Sequence, residues 1–455
     1  MAKIVRVIGG GLAGAEAAHQ LARRGVAVEL FEMRPVIKTD AHATADFGEL
    51  VCSNSLRSNL LSAPAGLLKE EMRRLGSLVI SLAERHRVPA GSALAVDRAG
   101  FARALTLALE GMPQLKIMRR EVTEIPYGIA IVATGPLTSP ALSTHLSNLL
   151  GEEHLYFYDA ISPIVTAETI DMSVAFRAAR YGHGDADYIN LPLSKEQYYR
   201  FVAALKAAER VPTHSFERFV PFEGCMPIEE MADRGVETLA FGPMRAVGLM
   251  DPRTGTRPYA VVQLRQENRE RTLYNLVGFQ TKMTYPEQRR VLASIPGLEH
   301  GEFVRLGSLH RNTFINAPAH LEATLQWRRR AELFFAGQMT GVEGYIESAA
   351  TGLLAGINAA RLLAGQAPVV PPPTTALGAL LRYISDPDRK KFQPMNVNFG
   401  LLPPLAERLR GKAKKEMMSL RALADLDSWL IETAPPAGDD CAAPPAFSLN
   451  KAAPP

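Results

Sequence analysis

An α/β fold is what this sequence predicts, with a Rossmann-like domain that is discontinuous along the chain and interrupted by an inserted mixed α/β domain. Three observations carry the expectation. "KIVRVIGGGLAGAEAAHQLARRGVAVELFE" has the pattern of strand, glycine turn, helix and second strand. "GIAIVATG" and "LFFAGQMTGVEGYIESAATGLLAGINAARLL" repeat the strand-and-glycine pattern much later. Between them, charged and aromatic residues interleave with short β-like runs such as "YAVVQL" and "YNLVGF".

The first unit can be taken residue by residue. Ile4 to Ile8 is a short apolar strand, and Gly9, Gly11 and Gly14 form G-x-G-x-x-G around Gly10, Leu12 and Ala13. Gly9 permits the tight turn, Gly11 lets the backbone approach a pyrophosphate, and Gly14 lets helix and strand pack closely. The helix start offers unpaired N–H groups and the positive end of its dipole. Gly25 ends the helix, and Val26 to Phe31 is the second strand. Glu32, at the end of that strand, is placed to hold ribose hydroxyls. The motif by itself leaves flavin and nicotinamide dinucleotides both open.

Two later stretches favour the flavin. "GIAIVATG", with Thr134 and Gly135, resembles the strand that returns to the cofactor in two-domain flavoproteins. The segment Leu333 to Leu363 resembles their C-terminal flavin segment, with Gly337, Gln338, Gly341, Gly344 and Tyr345 as candidate contacts. Gln338 stands where an Asp is usual, so the contact is a hydrogen bond without charge. The expected cofactor is FAD, held by residues from both ends of the domain.

Composition bounds the class. The chain has 455 residues, 47% hydrophobic and 22% charged, enough for two or three domains. A net charge of +4 permits contact with nucleic acid without requiring it. Three cysteines, widely spaced and without a CxxC pair, predict neither a disulfide framework nor a metal site. With no apolar run long enough to span a bilayer and a strand at the very start, the expected location is cytoplasmic, with no membrane association.

The expected organisation is a first part of the FAD-binding domain over 1–157, an insertion over 158–309, and the rest of the FAD-binding domain over 310–367. A proline-rich linker, Pro368 to Pro373, follows. A basic helical segment over 374–433 and a disordered tail over 434–455 complete the chain, with Cys441 in the tail. Pro64 is expected to open one helix on which Leu68, Met72, Leu75, Val79 and Leu82 share a face. "VDRAGFARALTLALEG" is expected to be a helix capped near Asp97.

Two cysteines have polar neighbours. Cys225, in "FEGCMPIEEM", falls just before a helix start signalled by Pro227 and Glu229. That position favours thiolate, whereas Glu223, Glu229 and Glu230 oppose it. Cys52 lies in the turn-prone "ELVCSNSLRSN". For both, a small buried hydrophobe and a reagent are open readings.

Several longer motifs carry a family likeness: "GGGLAGAEAA", "LVCSNSLRS", "VPAGSALAVDR", "DYINLP", "FEGCMPIEEMADRGVETLAFGPMRAVGL", "VVQLRQENRERTLYNLVGFQTKM", "LHRNTFINAP" and "AGQMTGVEGYIESAATGLLAGINAA". Together they resemble the bacterial folate- and flavin-dependent tRNA (uracil-5-)-methyltransferases, from about residue 3 to about residue 430. The resemblance implies FAD as cofactor, with NAD(P)H and 5,10-methylenetetrahydrofolate as co-substrates. It implies tRNA as partner, 5-methyluridine at position 54 of the T-loop as product, and no stable protein partner. It assigns Cys225 the nucleophile and Cys52 a supporting acid/base role. A thiolate adding to C6 of uracil makes C5 a carbon nucleophile toward a methylene carried by folate or flavin, and reduced flavin completes the methyl group.

The resemblance also gives the basic residues Arg389, Lys390, Lys391, Arg408, Arg410, Lys412, Lys414 and Lys415 a candidate role on tRNA phosphates. His310, Arg311 and Asn312 line a folate or flavin pocket or form an ordinary turn. Two rivals are a related flavoprotein that modifies wobble uridine and a tRNA-binding flavoprotein whose FAD is structural.

Overall fold

The computed structural model describes residues 4–39, 41–151, 155–182, 186–211, 226–389 and 392–434. Cys225, Lys390, Lys391 and Cys441 lie outside them.

A six-stranded sheet organises the first domain. Its order is Gln326–Trp327, Arg330–Phe335, Ala130–Val132, Ile4–Ile8, Ala27–Glu32 and Leu115–Arg119. All neighbours pair in parallel except the short edge strand Gln326–Trp327. The chain leaves Ile4–Ile8 for one side of the sheet and returns on the other at Ala130–Val132. That reversal opens a crevice at the carboxyl ends of the central strands, where such folds bind ligands. Strands from residues 4, 130 and 330 are thus neighbours, so the domain is discontinuous.

Two helices meet behind this crevice at backbone contact. They are Leu12–Ala22 and Tyr345–Leu363. A Cβ on Gly352 would lie 2.0 Å from the Ala13 carbonyl oxygen, and one on Gly356 would lie 2.6 Å from that of Ala17. Only glycine at 352 and 356 permits this approach, which draws both helix N-termini toward one cleft.

The expected single helix from Pro64 is two, Pro64–Arg74 and Leu78–Arg85. Gly76, with φ of +74°, turns the chain out of the helix, and the Ser77 hydroxyl caps the next one by accepting from the Ile80 N–H at 3.2 Å. The expected apolar stripe spans this break because Leu68, Met72, Leu75, Val79 and Leu82 are all buried in one core. Asp97 caps Arg98–Glu110 as predicted, accepting from the Gly100 N–H at 2.7 Å.

A second six-stranded sheet, all antiparallel, forms the insertion. Its order is Phe176–Ala178, Tyr188–Leu193, Ala260–Gln266, Leu273–Leu276, Ile164–Thr166 and Phe303–Arg305. One face carries Ile189, Leu191, Val262 and Leu264 into a core with Tyr198, Phe201 and Val291. The opposite face carries Tyr188, Asn190, Gln263 and Arg265. A separate strand pair, Leu155–Ala160 with Leu309–Phe314, brackets the insertion. His310, Arg311 and Asn312 therefore run in a strand and not in a turn; their side chains lie outside the described residues.

The expected basic helical segment after the prolines begins instead with an apolar, buried helix, Ala376–Ser385. The buried Glu71 carboxyl group accepts from the Ala376 and Leu377 N–H groups at 2.6 and 2.9 Å, satisfying that helix start. The last helix, Gly411–Glu432, buries Met418, Ala422, Leu423, Leu426 and Trp429 in the first domain's core.

Candidate functional site

A cleft enclosing about 1030 Å³ of non-protein space, part of it open to solvent, lies at the carboxyl ends of the parallel strands. Each strand ends in residues of its wall: Ile8 in Gly9–Ala13, Phe31 in Glu32, Ala133 in Thr134 and Gly135, and Phe335 in Gly337 and Gln338. Tyr345 completes the wall from the start of the last domain helix.

The glycines divide by task. A Cβ on Gly11 would meet no protein atom within 4 Å, so the helix start there faces open space. A Cβ on Gly14 would lie 1.8 Å from the Gly9 carbonyl oxygen, so Gly14 serves helix–strand contact and does not line the cleft. Gly341 and Gly344, with φ of +81° and +113°, shape the turn behind Gln338. A Cβ there would strike Phe392 or the Glu347 carboxylate, so neither is a wall residue.

Glu32 is tied into the glycine loop. Its Oε2 accepts from the Gly10 N–H at 2.9 Å, and its Oε1 accepts from the Arg34 N–H and Nε–H, both at 3.0 Å. Burial pushes this carboxyl up, but the Arg34 charge and these hydrogen bonds outweigh it and hold the pKa below the usual value. Arg34 reaches on to Glu49 at 3.3 Å. Glu49 accepts from Ala43 and Thr44 N–H at 2.8 and 3.0 Å, closing the polar loop after the second strand. His42, on the cleft wall, is lowered to about 4 by burial and then by Arg34, and so is neutral at pH 7. Arg34, His42 and Glu49 were not singled out from sequence; the one signal was the long, turn-rich stretch that holds them.

Cys52 follows the wall residue Val51 in the chain and is tied to the wall residue Tyr345. Its backbone N–H donates to the Tyr345 hydroxyl oxygen at 2.7 Å, and the Ser53 N–H donates to the same oxygen at 3.2 Å. Burial raises the Tyr345 pKa well above the phenolic range, and the neighbouring Cys52 adds to the shift. Three guanidinium groups, on Arg98, Arg265 and Arg305, also feel the Cys52 sulfur. Arg98 ion-pairs with Glu267 and donates to the Leu50 carbonyl. Arg265 donates to the Asn54 side chain at 2.9 Å and to the Ser53 hydroxyl at 2.8 Å. The insertion thus docks directly onto the Cys52 loop, a convergence of residues 52, 98, 265, 305 and 345.

The residues after Cys225 are described. The helix there is Ile228–Arg234, with Pro227 at its cap. Glu229 is fully buried and accepts from the Lys282 N–H at 2.6 Å and the Thr281 hydroxyl at 2.9 Å. Burial raises its pKa, which favours the uncharged acid. Glu230 pairs with the Lys282 ammonium at 2.6 Å and with Arg210 at 3.4 Å. Both acids that follow Cys225 in the sequence thus have partners of their own.

Arg408, Arg410, Lys412, Lys414 and Lys415 are exposed, and Lys412 lies 3.6 Å from Glu416. Arg389 instead stacks on the Tyr383 ring at 4.0 Å, beside a second cleft remote in sequence from the first. No helix among the described residues is long and apolar enough to cross a membrane.

Comparison with known proteins agrees with this geometry. A family model described as "Glucose inhibited division protein A" matches residues 4–367. A Geobacter sulfurreducens protein named methylenetetrahydrofolate–tRNA-(uracil-5-)-methyltransferase TrmFO is 59% identical over 432 residues, covering 94% of this chain and 99% of that one. A Heliobacterium modesticaldum protein of the same name is 57% identical over 430 residues, covering 94% and 98%. Among solved structures, Aquifex aeolicus GidA matches in one crystal form with TM-score 0.69 and 18% identity, covering 94% of this chain and 75% of that one. At that identity the likeness speaks for the fold. The chain belongs to the glucose inhibited division protein A family, within the group of relatives that carry the methylenetetrahydrofolate–tRNA-(uracil-5-)-methyltransferase name.

Proposed function

We propose that this chain makes 5-methyluridine at position 54 in the T-loop of tRNA, with FAD as cofactor, 5,10-methylenetetrahydrofolate as carbon donor and NAD(P)H as reductant, acting in the cytoplasm. The observation that carries the reading is the Cys52 loop pinned on Tyr345, a wall residue of a dinucleotide-sized cleft.

The cleft fits FAD. The open space beyond Gly11 at a helix start suits a pyrophosphate, and Gly9, Gly10, Leu12 and Ala13 supply the surrounding loop. Glu32, fixed by Gly10 and Arg34, is the ribose contact. Thr134, Gly135, Gly337, Gln338 and Tyr345 form the wall for the redox-active half. Gln338 Nε2 donates to Glu343 at 2.7 Å, which fixes its amide at the wall. Bound there, the flavin supplies the hydride that completes the methyl group.

Cys225 is the nucleophile in this reading. Its thiolate bonds to C6 of the uracil, and the electron pair moves through C5 to the C4 oxygen. C5 then bonds to the donor methylene as one of that carbon's two bonds to nitrogen opens, a base removes the C5 proton as the other breaks to leave an exocyclic methylene, and hydride addition to that carbon expels the sulfur from C6 as the ring regains its double bond. Cys52 is the candidate for that proton, on the loop that Tyr345 and Arg265 hold. Taking the base out of the T-loop costs a few kcal/mol, which phosphate contacts help to offset.

The test is nucleoside analysis of unmodified tRNA after incubation with holoenzyme, folate donor and reductant. 5-Methyluridine is the expected product. A modified wobble uridine would point to the rival enzyme, and tRNA binding without any product would leave the flavin a structural role.

A further inference from the structure

We propose that Lys69 and Arg57 are positioning residues for the methyl transfer, fixing the strand that follows the Cys52 loop, a role that rests on the reading of Cys52 above. Neither side chain lines the cleft. The strand, Ser55–Ser58, is irregular. Against the neighbouring strand Ala93–Val96, Ser55 lies opposite Ala95 and Ser58 opposite Ala93, so three steps on one strand face two on the other. Arg57 sits in this bulge with φ of +61°, a left-handed backbone that a side chain of its size rarely takes. Such a conformation persists only where the surroundings impose it, and it gathers at working sites.

Two anchors impose it. The first is Lys69, fully buried on the helix Pro64–Arg74, whose Nζ donates to the Leu56, Arg57 and Ser58 carbonyls at 2.7, 3.2 and 2.7 Å. Carbonyls along a regular strand alternate in direction, so three in a row reach one nitrogen only because the chain bulges at Arg57. Burial, and then the Arg57 and Arg73 charges, lower the Lys69 pKa to about 7. Its ammonium form satisfies all three acceptors and its neutral amine two. The second anchor is Glu347, whose buried carboxylate accepts from the Arg57 guanidinium and, at 3.0 Å, from the Val397 N–H. Glu347 lies two residues after Tyr345, which accepts from the Cys52 and Ser53 N–H groups. One helical turn therefore holds both ends of the stretch from Cys52 to Arg57, and Lys69 locks the end remote from the thiol.

The test compares flavin-loaded K69M and R57M with the unaltered protein. It reads single-turnover 5-methyluridine formation, the KM for tRNA, and the rate at which iodoacetamide alkylates Cys52, followed by mass spectrometry of its peptide. K69M should slow methyl transfer about tenfold or more per loaded enzyme, with the KM for tRNA held within about twofold. It should also speed Cys52 alkylation by about threefold or more, because the loop opens more often. R57M should move both rates in the same directions by less. A merely structural role would lower the melting temperature yet leave both rates, taken well below melting, at the unaltered values; that result would overturn the proposal. So would a raised KM at an unchanged single-turnover rate, which would place the two residues on the substrate-binding surface. If K69M loads no flavin, R57M decides, and unaltered transfer and alkylation rates in R57M would overturn the proposal. Unaltered protein that makes no 5-methyluridine, while K69M still speeds Cys52 alkylation, would sink the function reading and leave the clamp standing.

Discussion

The Tyr345 hydroxyl oxygen accepts from the backbone N–H groups of both Cys52 and Ser53, joining the first residue of a cleft-wall helix to the cysteine loop. Tyr345→Phe keeps the ring and removes the acceptor, leaving two partly buried N–H groups unpaired at about 1–3 kcal/mol. The expected result is a flavin-loaded protein whose methyl transfer is slowed about tenfold or more, because the Cys52 loop is no longer held. Single-turnover rates alongside flavin absorbance check this. Loss of flavin with an unchanged rate per loaded enzyme would place the tyrosine's role in cofactor retention alone.

Gly11 and Gly14 are three residues apart and should respond in opposite ways to the same change. Gly11 has φ of −70° and open space at its Cβ position, so Gly11→Ala should leave the melting temperature of flavin-stripped protein unchanged and weaken FAD affinity. Gly14→Ala drives a Cβ to within 1.8 Å of the Gly9 carbonyl oxygen and should lower that melting temperature, by about 1–3 kcal/mol of stability. Calorimetry of stripped protein and FAD titration separate the two.

What was legible in the sequence follows the same division. The turn at Gly9, the cap at Asp97 and the end of the strand at Glu32 are local facts, set by a few neighbouring residues. The break at Gly76 was hidden because the apolar stripe continues past it, although Gly76 and Ser77 form a stop and a cap. Gly352 and Gly356 make sense only with Ala13 and Ala17 opposite them. The convergence of Arg98, Arg265 and Arg305 on Cys52 has no local signature, because the insertion sheet brings it about. The helix Ala376–Ser385 depends on Glu71, far back in the chain, to satisfy its first N–H groups.

Two buried carboxyls should give opposite pH signatures. Glu32 has a depressed folded pKa, so its contribution to stability is complete above the unfolded value of about 4.3 and is lost as pH falls through the folded one. Glu32→Gln should therefore lower the melting temperature at pH 7, with the gap closing in acid below about pH 4. Glu71 is pushed up to about 8 by burial, against the two N–H groups it accepts from. Its folded form holds a proton that its unfolded form releases, so it favours folding at low pH and costs stability as pH rises from about 4.3 toward 8. Glu71→Gln should gain on the unaltered protein between pH 5 and pH 9. Melting curves across that range check both signs, and a pH-independent gap for either variant would contradict its assignment.

The central claim is that the Cys225 sulfur bonds to C6 of the target uridine. The most direct measurement incubates holoenzyme, folate donor and reductant with tRNA containing 5-fluorouridine, and maps any protein–RNA adduct by mass spectrometry. Fluorine at C5 cannot leave as a proton does, so the sulfur–carbon bond should persist, with the modified peptide containing Cys225 and no adduct in Cys225→Ala. An enzyme that turns over normal tRNA yet yields no adduct, or one carried by a different residue, would contradict the claim.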